Sequence, residues 1–366
     1  MITLVLSFLM SMAFVIAIMP AAIRIATMKG LVADPNARSS HKASTPNIGG
    51  VPIFVSIMFT TLLLTPAGQW QSLPFLLAAV VLAFLVGFKD DIEPLKPVLK
   101  TGGLLIAIAI IVTKGNVRLE GMYGLLGFHG DFPQLLSYVI SGFTLLVICN
   151  AFNLIDGING LAGTVGTIVS MTFGTWFFMV GELYLGVLSM TLAGSLLGFL
   201  RFNMQPAKTF MGDTGALVVG LLLGILCIEF IDNCASGIFP AKYRFQHPIA
   251  IATAILIIPL FDTVRVFTTR IYRGTSPFTP DRRHIHHLLI DSGFRHLEAT
   301  TVLGIANMLM ISLAFVLDPV LELHALILLE IVLALAGTYF LHRNVVRVRA
   351  ATPPAEERRP LTTVES

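Results

Sequence analysis

The segment RGTSPFTPDRRHIHHLL, residues 273–289, separates two apolar runs at residues 249–267 and 300–317. Each run is close to the ~20 residues that an α-helix needs to cross the hydrocarbon core of a bilayer. The segment between them carries three histidines and three arginines, which a hydrocarbon environment does not accommodate without partners. The pattern therefore predicts membrane-spanning helices joined by a polar loop at the membrane surface.

The composition extends this interpretation to the whole chain. The mean hydropathy is +0.84, and 55% of the 366 residues are hydrophobic while only 12% are charged. These values exclude a water-soluble domain. We predict an all-α polytopic membrane protein, with one membrane domain over residues 1–343 and a disordered cytoplasmic tail over residues 344–366. Eleven spans are predicted, at residues 2–23, 49–65, 73–88, 98–113, 134–152, 160–180, 183–200, 214–231, 247–267, 298–317 and 321–341.

The basic residues predict the orientation of these spans. With eleven spans, 20 of the 24 lysines and arginines fall on one side of the membrane and 4 on the other. Cytoplasmic segments carry the excess of positive charge in membrane proteins. The N-terminus is therefore predicted to be periplasmic and the C-terminus cytoplasmic.

Four aspartates occur where predicted spans meet cytoplasmic segments. Asp90 and Asp91 end the third span, Asp156 follows the fifth, and Asp213 begins the eighth. One interpretation is that each carboxylate caps a helix or faces water at the membrane border. The alternative is a shared site, because helices of one bundle could bring all four to the same cleft at the same depth. The occurrence of four together, opposite a histidine and arginine loop, favours the site.

The histidine loop suits phosphate chemistry. His284 and His287 are three residues apart and would share one face of a helical turn. Imidazole beside guanidinium attracts phosphate, and imidazole can also bind metal or move protons. The alternative is a solvated loop whose positive charge only follows the topology rule.

A reaction between two phosphate compounds also needs a cation, because the two anions repel each other. Carboxylate and amide oxygens, such as those of Asp213 and Asn153, suit Mg²⁺, which takes only one or two carboxylates. A further carboxylate could accept a proton or position the attacking oxygen. Lys42 and the histidine loop would hold the remaining phosphate charge.

Five segments together resemble one family. They are SSHKASTPNIGG (39–50), GFKDD (87–91), NAFNLIDGINGLAG (150–163), FMGDTGAL (210–217) and SPFTPDRRHIHHLL (276–289). In this order they resemble the polyprenyl-phosphate N-acetylhexosamine-1-phosphate transferases, and among these the bacterial N-acetylglucosamine branch. The resemblance implies an inner-membrane enzyme with a cytoplasmic active site. It would transfer N-acetylglucosamine 1-phosphate from UDP-GlcNAc to undecaprenyl phosphate with Mg²⁺ or Mn²⁺, releasing UMP.

The resemblance also implies roles for individual residues. Asp213, with Asn153, would hold the metal, and Asp90 and Asp91 would position or activate the lipid phosphate. The nucleotide side of the site would be lined by Asn153, Asp156 and Asn159. The uridine diphosphate would contact Lys42 and Thr45. The histidines would bind phosphates. The candidate catalytic residues are Asp90, Asp91, Asp156, His284, His286 and His287. The candidate substrate-binding residues are Lys42, Thr45, Asn150, Asn153, Asn159, Phe210, Arg282 and Arg283.

The sequence departs from the family at residue 159, where DGING stands in place of the DGxDG of many relatives. Asn159 keeps an acceptor oxygen but has no charge, which argues against a role as metal ligand or base. Two other polar residues lie within spans. Asp262 is predicted to support the histidine loop or to pair with Arg265, and no function is predicted for Glu330.

The sequence leaves several alternatives open. The lipid phosphate could attack directly, or a carboxylate could attack first, and direct attack is favoured. The donor could be another UDP-N-acetylhexosamine, including UDP-MurNAc-pentapeptide, and a lipid flippase or transporter is a remote alternative. The product would begin an envelope polymer such as O-antigen, enterobacterial common antigen or a teichoic-acid-type polymer. We expect no nucleic-acid partner, and a homodimer is one open assembly.

Overall fold

The computed structural model describes residues 1–33, 45–66, 71–204, 206–276 and 283–351. Within these ranges the regular secondary structure is helical apart from a pair of two-residue antiparallel strands, β1 (Val32–Ala33) and β2 (Thr45–Pro46), and one isolated bridge between Gly121 and Asp131. The helices are α1 (Ile2–Met28), α2 (Gly50–Leu64), α3 (Leu73–Ile92), α4 (Pro97–Thr113), α5 (Gln134–Ile155), α6 (Leu161–Val180), α7 (Leu183–Asn203), α8 (Gly212–Ala235), α9 (Pro248–Ile255), α10 (Ile257–Tyr272), α11 (Ile285–Asp291), α12 (His296–Leu317) and α13 (Leu323–Ala351).

The predicted all-α membrane fold is confirmed. Each predicted span corresponds to a helix, except that the ninth is divided between α9 and α10. Within the described ranges, eight helices are long and apolar enough to cross a bilayer, or nine if the bent pair counts as one span. Helices α2 and α4 are apolar but shorter. The protein is therefore a multi-pass membrane protein, while the number of spans and their orientation stay predictions.

Helix α8 forms the centre of the bundle. It packs against α2, α3, α5, α6, α7 and α9, and nearly all of its side chains are buried among apolar neighbours. This explains its sequence, which is apolar on every face from Ala216 to Ile228. A central helix with its first turn at one membrane border positions Asp213 where several helix ends meet.

The ninth predicted span breaks at Leu256, and the helices on either side are bent by 66°. Pro259 causes the break, because proline has no N–H to donate to the carbonyl of Ile255 and its ring crowds that carbonyl. The Ile255 oxygen instead accepts a hydrogen bond from Nδ2 of the buried Asn307, at 3.1 Å. The break therefore leaves no unsatisfied carbonyl at this position.

The last helix extends to Ala351, past the predicted domain boundary at residue 343. Residues 352–366 lie outside the described ranges. The disordered tail therefore stays a prediction for them.

Candidate active site

Four aspartates converge at one end of the bundle. Asp90 and Asp91 lie in the last turn of α3, Asp156 caps the C-terminus of α5, and Asp213 lies in the first turn of α8. Burial, and then the negative charges of Asp213 and Asp91, raise the pKa of Asp156 to about 7. The carboxylates meet as their positions in the sequence predict, and their roles in a reaction stay predictions.

Asp91 holds the N-terminus of α8. Its Oδ1 accepts hydrogen bonds from the backbone N–H of Asp213 at 2.9 Å and from Nδ2 of Asn47 at 2.8 Å. Its Oδ2 accepts from the backbone N–H and the hydroxyl of Thr214, at 2.8 and 2.5 Å. A carboxylate here also interacts favourably with the helix dipole. Asp91 thus positions Asp213, whatever further part it takes in catalysis.

Glycine at residue 87 allows this arrangement. A Cβ atom at Gly87 would overlap the backbone of Asp213 and Thr214. Any larger residue would push the end of α3 away from the start of α8. The close approach of the two helices depends on the absence of a side chain at this position.

Lys100 joins two of the aspartates. Its Nζ lies 2.9 Å from Oδ2 of Asp90 and 2.5 Å from Oδ1 of Asp213. The same oxygen of Asp213 accepts a hydrogen bond from Nδ2 of Asn153 at 2.5 Å. From the sequence, Lys100 is one of the 20 basic residues assigned to the cytoplasmic side, with no predicted role in the site. The available signal was Pro97, which begins α4 and places Lys100 in its first turn, at the border where Asp90 ends α3.

The acidic cluster offers the oxygen ligands that suit Mg²⁺ and Mn²⁺ rather than the nitrogen and sulfur ligands that suit zinc or copper. Among the described residues, no group of three or more histidine, cysteine, aspartate or glutamate side chains is arranged to hold a metal ion. Magnesium needs only one or two carboxylates, with water and substrate phosphate completing its shell. Asp213 and a neighbouring aspartate supply that set. Asn153 presents its amide N–H to Asp213, so in this arrangement it orients the carboxylate.

A long groove leads away from the cluster between α5 and α10. Its volume is about 790 Å³. Asn153 lines this groove and also donates to Asp213, so the groove begins beside the aspartates. Its lining combines apolar and polar side chains. The apolar residues are Phe143, Leu146, Val147, Leu154, Val264, Phe267 and Ile271, and the polar ones include Asn150, Arg270, His284, His286 and His287.

Asp262 fixes the histidine segment against α10. Its Oδ2 lies 2.8 Å from Nδ1 of His284, and its Oδ1 accepts from the backbone N–H of Ile285 at 2.9 Å. Arg265 donates to Oδ1 of Asp262 at 2.7 Å and to the carbonyl of Arg283 at 2.6 Å. Both predicted roles of Asp262, supporting the loop and pairing with Arg265, are confirmed. The helix predicted after His284 is also confirmed as α11.

His286 is the most deeply buried of the three histidines, with His284 also buried. Burial, and then the neighbouring charge of His287, lower its pKa to about 3, so its ring is neutral at physiological pH. A Cβ atom at Gly157 would overlap Nε2 of His286. Glycine directly after Asp156 therefore lets the histidine segment touch the end of α5.

Thr45 and Phe210 belong to a segment beside the acidic cluster. Thr45 is buried in β2, and the N–H of Phe210 donates to the carbonyl of Pro46 at 2.9 Å. Asn47, the next residue, contacts Asp91. Asn150 and the histidines line the groove. Lys42 and Arg282 lie outside the described residues, and their roles stay predictions.

Asn159 lies apart from the groove, against α12. Its backbone oxygen accepts a hydrogen bond from Thr300 at 2.8 Å, and its N–H lies 3.4 Å from Nδ1 of His296. Its side chain is buried, and Oδ1 has no hydrogen-bond partner among the described residues. The predicted contact of Asn159 with the nucleotide stays a prediction.

These features define a multi-pass membrane protein in which an acidic site meets a long apolar groove. Residues 73–231 match the family described as glycosyl transferase family 4. The chain is 30% identical over 295 residues to the decaprenyl-phosphate N-acetylglucosaminephosphotransferase of Mycolicibacterium smegmatis, covering 75% of this chain and 72% of that protein. The chain belongs to glycosyl transferase family 4, and it is a sugar-1-phosphate transferase.

Enterobacterial relatives show similar coverage. Identity is 28% over 296 residues to the undecaprenyl-phosphate alpha-N-acetylglucosaminyl 1-phosphate transferase of Escherichia coli O157:H7, covering 79% of this chain and 77% of that protein. The Yersinia pestis protein of the same name is 28% identical over 317 residues, covering 84% of this chain and 81% of its own length.

Proposed function

We propose that this enzyme transfers N-acetylglucosamine 1-phosphate from UDP-GlcNAc to undecaprenyl phosphate, giving undecaprenyl-diphospho-GlcNAc and UMP. The observation that carries the proposal is the groove, which joins an apolar passage along α5 to a cluster of aspartates and one lysine. A long isoprenyl chain with a phosphate at one end has the matching chemistry. The names of the relatives support the same acceptor class and the same sugar.

In the proposed reaction an oxygen of the lipid phosphate attacks the phosphorus that carries the sugar. A new phosphorus–oxygen bond forms there, and the bond to the oxygen bridging the donor's two phosphates breaks, so UMP leaves with that oxygen. A phosphate monoester is already an adequate nucleophile, so positioning and neutralisation of charge matter most. Direct attack is therefore our preferred mechanism over a phosphorylated aspartate.

Different residues around the groove can position the phosphates and neutralise their charge. Lys100 supplies positive charge beside Asp90 and Asp213, where the two phosphate groups would meet. Arg270 and the histidine group also line the groove and would hold phosphate oxygens. Asp262 keeps His284 in one orientation through the contact at Nδ1.

We propose Mg²⁺ or Mn²⁺ as the cofactor, held by Asp213 with a neighbouring aspartate. When bound, the ion would offset the charge of the diphosphate and favour departure of UMP. Asn153 would keep the Asp213 carboxylate in place through its amide N–H. The enzyme would act at the cytoplasmic face of the bacterial inner membrane, where UDP-sugars are made.

Product formation with a panel of donors tests the proposal. Purified enzyme, undecaprenyl phosphate and MgCl₂ are incubated with UDP-GlcNAc, UDP-GalNAc or UDP-MurNAc-pentapeptide, and UMP release is measured. We expect UMP with UDP-GlcNAc, and none after chelation of the metal. UMP only with a different donor would overturn the assigned sugar, and activity that persists in chelator would overturn the metal.

A matched pair of variants tests the acidic site. Asp213→Asn should lower turnover by about 10²-fold, the scale of losing one electrostatic group in a preorganised site. Asp131→Asn removes an exposed carboxylate at the opposite end of the bundle and should leave turnover unchanged. Equal effects of the two changes would remove Asp213 from the proposed metal role.

A further inference from the structure

A polar cavity lies at the end of the bundle opposite the aspartates. Its volume is about 280 Å³, compared with the ~30 Å³ that one water molecule takes up in the liquid. Four parts of the chain line it: the start of α3, the segment that follows α4, the first turn of α7 and the last turns of α8. We call this space the polar cavity. Its lining includes Ser72, Arg118, Tyr184, Glu229, Asp232 and Asn233.

The polar cavity lies where the membrane-spanning helices begin and end. Glu229 and Asp232 precede the end of α8 at Ala235, by about 9 and 4.5 Å at ~1.5 Å of rise per residue. The polar zone of a bilayer adds roughly 5–8 Å to each side of the hydrocarbon core. The cavity therefore spans the border between hydrocarbon and lipid headgroups.

An apolar surface adjoins the cavity on the side of α3. Ser72 lines the cavity and is the N-cap of α3. Phe75, three residues further along, is exposed, and residues three apart share one helix face. A ligand whose polar end enters the cavity could therefore keep an apolar part in the bilayer beside α3.

One wall of the polar cavity is acidic. Glu229, Asp232 and Asn233 are three and four residues apart on α8, so they share one face. Nδ2 of Asn233 donates to Oε2 of Glu229 at 3.1 Å, and the hydroxyl of Tyr123 donates to Oδ1 of Asp232 at 2.5 Å. A carboxylate can accept about four hydrogen bonds. This wall therefore suits a cationic group with several N–H donors.

Arg118 supplies the opposite charge in the same cavity. Its guanidinium donates to Oδ1 of Asn116 at 3.0 Å, to Oγ of Ser137 at 3.2 Å and to Oε1 of Glu120 at 2.7 Å. These contacts hold the guanidinium in one orientation and use three of its five N–H donors. The planar fork of an arginine suits a phosphate group.

Hydrogen bonds between elements fix the walls of the cavity. The hydroxyl of Ser72 donates to the carbonyl of Gly115 at 2.7 Å, which joins the start of α3 to the end of α4. Leu119, the neighbour of Arg118, bonds to α5 through both backbone groups: its N–H donates to Ser141 at 2.8 Å and its carbonyl accepts from Ser137 at 2.6 Å. A site held in this way has less ordering entropy to lose when a ligand binds.

We propose that the polar cavity binds the headgroup of a zwitterionic phospholipid that carries a primary ammonium, the chemistry of phosphatidylethanolamine. The phosphate would contact Arg118, and the ammonium, with three N–H donors, would contact Glu229 and Asp232. The site is separate from the proposed reaction, because Glu229 lies about 24 Å along α8 from Asp213.

Three lipids with identical acyl chains test the proposal. Phosphatidylethanolamine, phosphatidylglycerol and phosphatidylcholine are titrated into the full-length enzyme in detergent, and dissociation constants are measured from the stabilisation against thermal unfolding. Phosphatidylglycerol has the phosphate without an ammonium, and phosphatidylcholine has an ammonium without N–H donors. We expect phosphatidylethanolamine to bind about tenfold more tightly than either, equivalent to ~1.4 kcal/mol. Equal constants for the three lipids would overturn the proposal.

Two variants separate the contacts to the two charges. Glu229→Gln should weaken phosphatidylethanolamine about tenfold and leave phosphatidylglycerol unchanged, whereas Arg118→Gln should weaken both by the same factor. Glu322→Gln and Lys114→Gln are the matched controls, because both side chains are exposed at the same end of the bundle and neither lines the cavity. The controls should change no constant. Equal losses for the two lipids in Glu229→Gln would contradict the ammonium contact, and Asp232→Asn repeats this comparison if Glu229→Gln does not fold.

A soluble headgroup and a metal cation are the other ligands with matching charge. Glycerophosphoethanolamine carries the same two charges without acyl chains, and we expect it to bind at least tenfold more weakly than the lipid. Binding as tight as that of the lipid would show that the site takes a soluble ligand. Stabilisation by CaCl₂ that Glu229→Gln abolishes, with no preference among the lipids, would make the cavity a cation site and our assignment wrong.

Discussion

Lys100 shows how one residue can connect parts of the site that are distant in the chain. It stands between Asp90 and Asp213, with Nζ within 2.9 Å of the first and 2.5 Å of the second. Without Lys100, the negative charges of Asp90 and Asp213 would lie together with less positive charge to offset them. The lysine thus holds the acidic cluster together and keeps positive charge where phosphates are expected.

Lys100→Met should lower turnover by about 10²-fold, because it removes one charge from a preorganised site. Steady-state kinetics with undecaprenyl phosphate and UDP-GlcNAc provide the measurement. Lys96→Met is the control, since Lys96 is exposed at the N-cap of the same helix. Near-normal turnover of a folded Lys100→Met enzyme would show that the lysine has only a structural part.

Asp156 should make stability depend on pH in the metal-free protein. Its pKa is raised from 3.8 to about 7 by burial and by Asp213 and Asp91, so the folded state binds this proton more tightly than the unfolded state. The contribution of Asp156 to the free energy of unfolding is therefore greatest near pH 4 and decreases as pH rises to about 7. Asp156→Asn should show a flatter melting profile across this range.

Thermal unfolding in chelator, followed from pH 5 to 8, tests the prediction for Asp156. A difference between wild type and variant that stays constant over this range would contradict it. Adding Mg²⁺ should raise the melting temperature of the wild type most at the higher pH values, where the carboxylates are charged.

At the scale of secondary structure, the break between α9 and α10 sets the direction in which the groove runs. The bend of 66° turns α10 so that one of its faces follows α5. The carbonyl freed by Pro259 is satisfied by Asn307 from α12. The stability of the bend thus depends on a hydrogen bond between helices.

Asn307→Leu should destabilise the protein by about 1–3 kcal/mol, the cost of leaving a buried carbonyl unpaired. Thermal unfolding in detergent gives the measurement, with Thr301→Val on the exposed face of α12 as control. The loss should be smaller in a Pro259→Ala background, because an alanine N–H can donate to the Ile255 carbonyl. An equal loss in both backgrounds would contradict this explanation.

At the scale of the whole molecule, the site and the segment containing Phe128 lie at opposite ends of the bundle. The basic residues predict that the site end is cytoplasmic. Single cysteines at Glu93 and Phe128 report the two ends, since both side chains are exposed. The native cysteines Cys149, Cys227 and Cys234 are buried and should not react.

A membrane-impermeant maleimide should label Phe128→Cys in intact cells and Glu93→Cys only in inside-out vesicles. Labelling of Glu93→Cys from the periplasm would reverse the predicted orientation. It would also place the acidic cluster on the side of the membrane that has no supply of UDP-sugars, and so contradict the proposed function.

The sequence by itself determined the membrane fold, the positions of most helices and the family. Apolar runs of bilayer length leave a chain few alternatives, because every backbone polar group in lipid must be paired within a helix. Residues such as Asp213 and His284 could be selected because polar groups at membrane borders are few and occur in recognisable segments. The helix following His284 was also predicted, from local residue types.

The tertiary structure alone decided which of these residues touch. The capping of α8 by Asp91, the pairing of Lys100 with Asp213 and the displacement of Asn159 toward α12 all join residues far apart in the chain. The bend at Pro259 and the course of the groove likewise depend on how helices cross. Helical periodicity specifies which residues share a face, but the partner of that face follows from side-chain packing across the bundle.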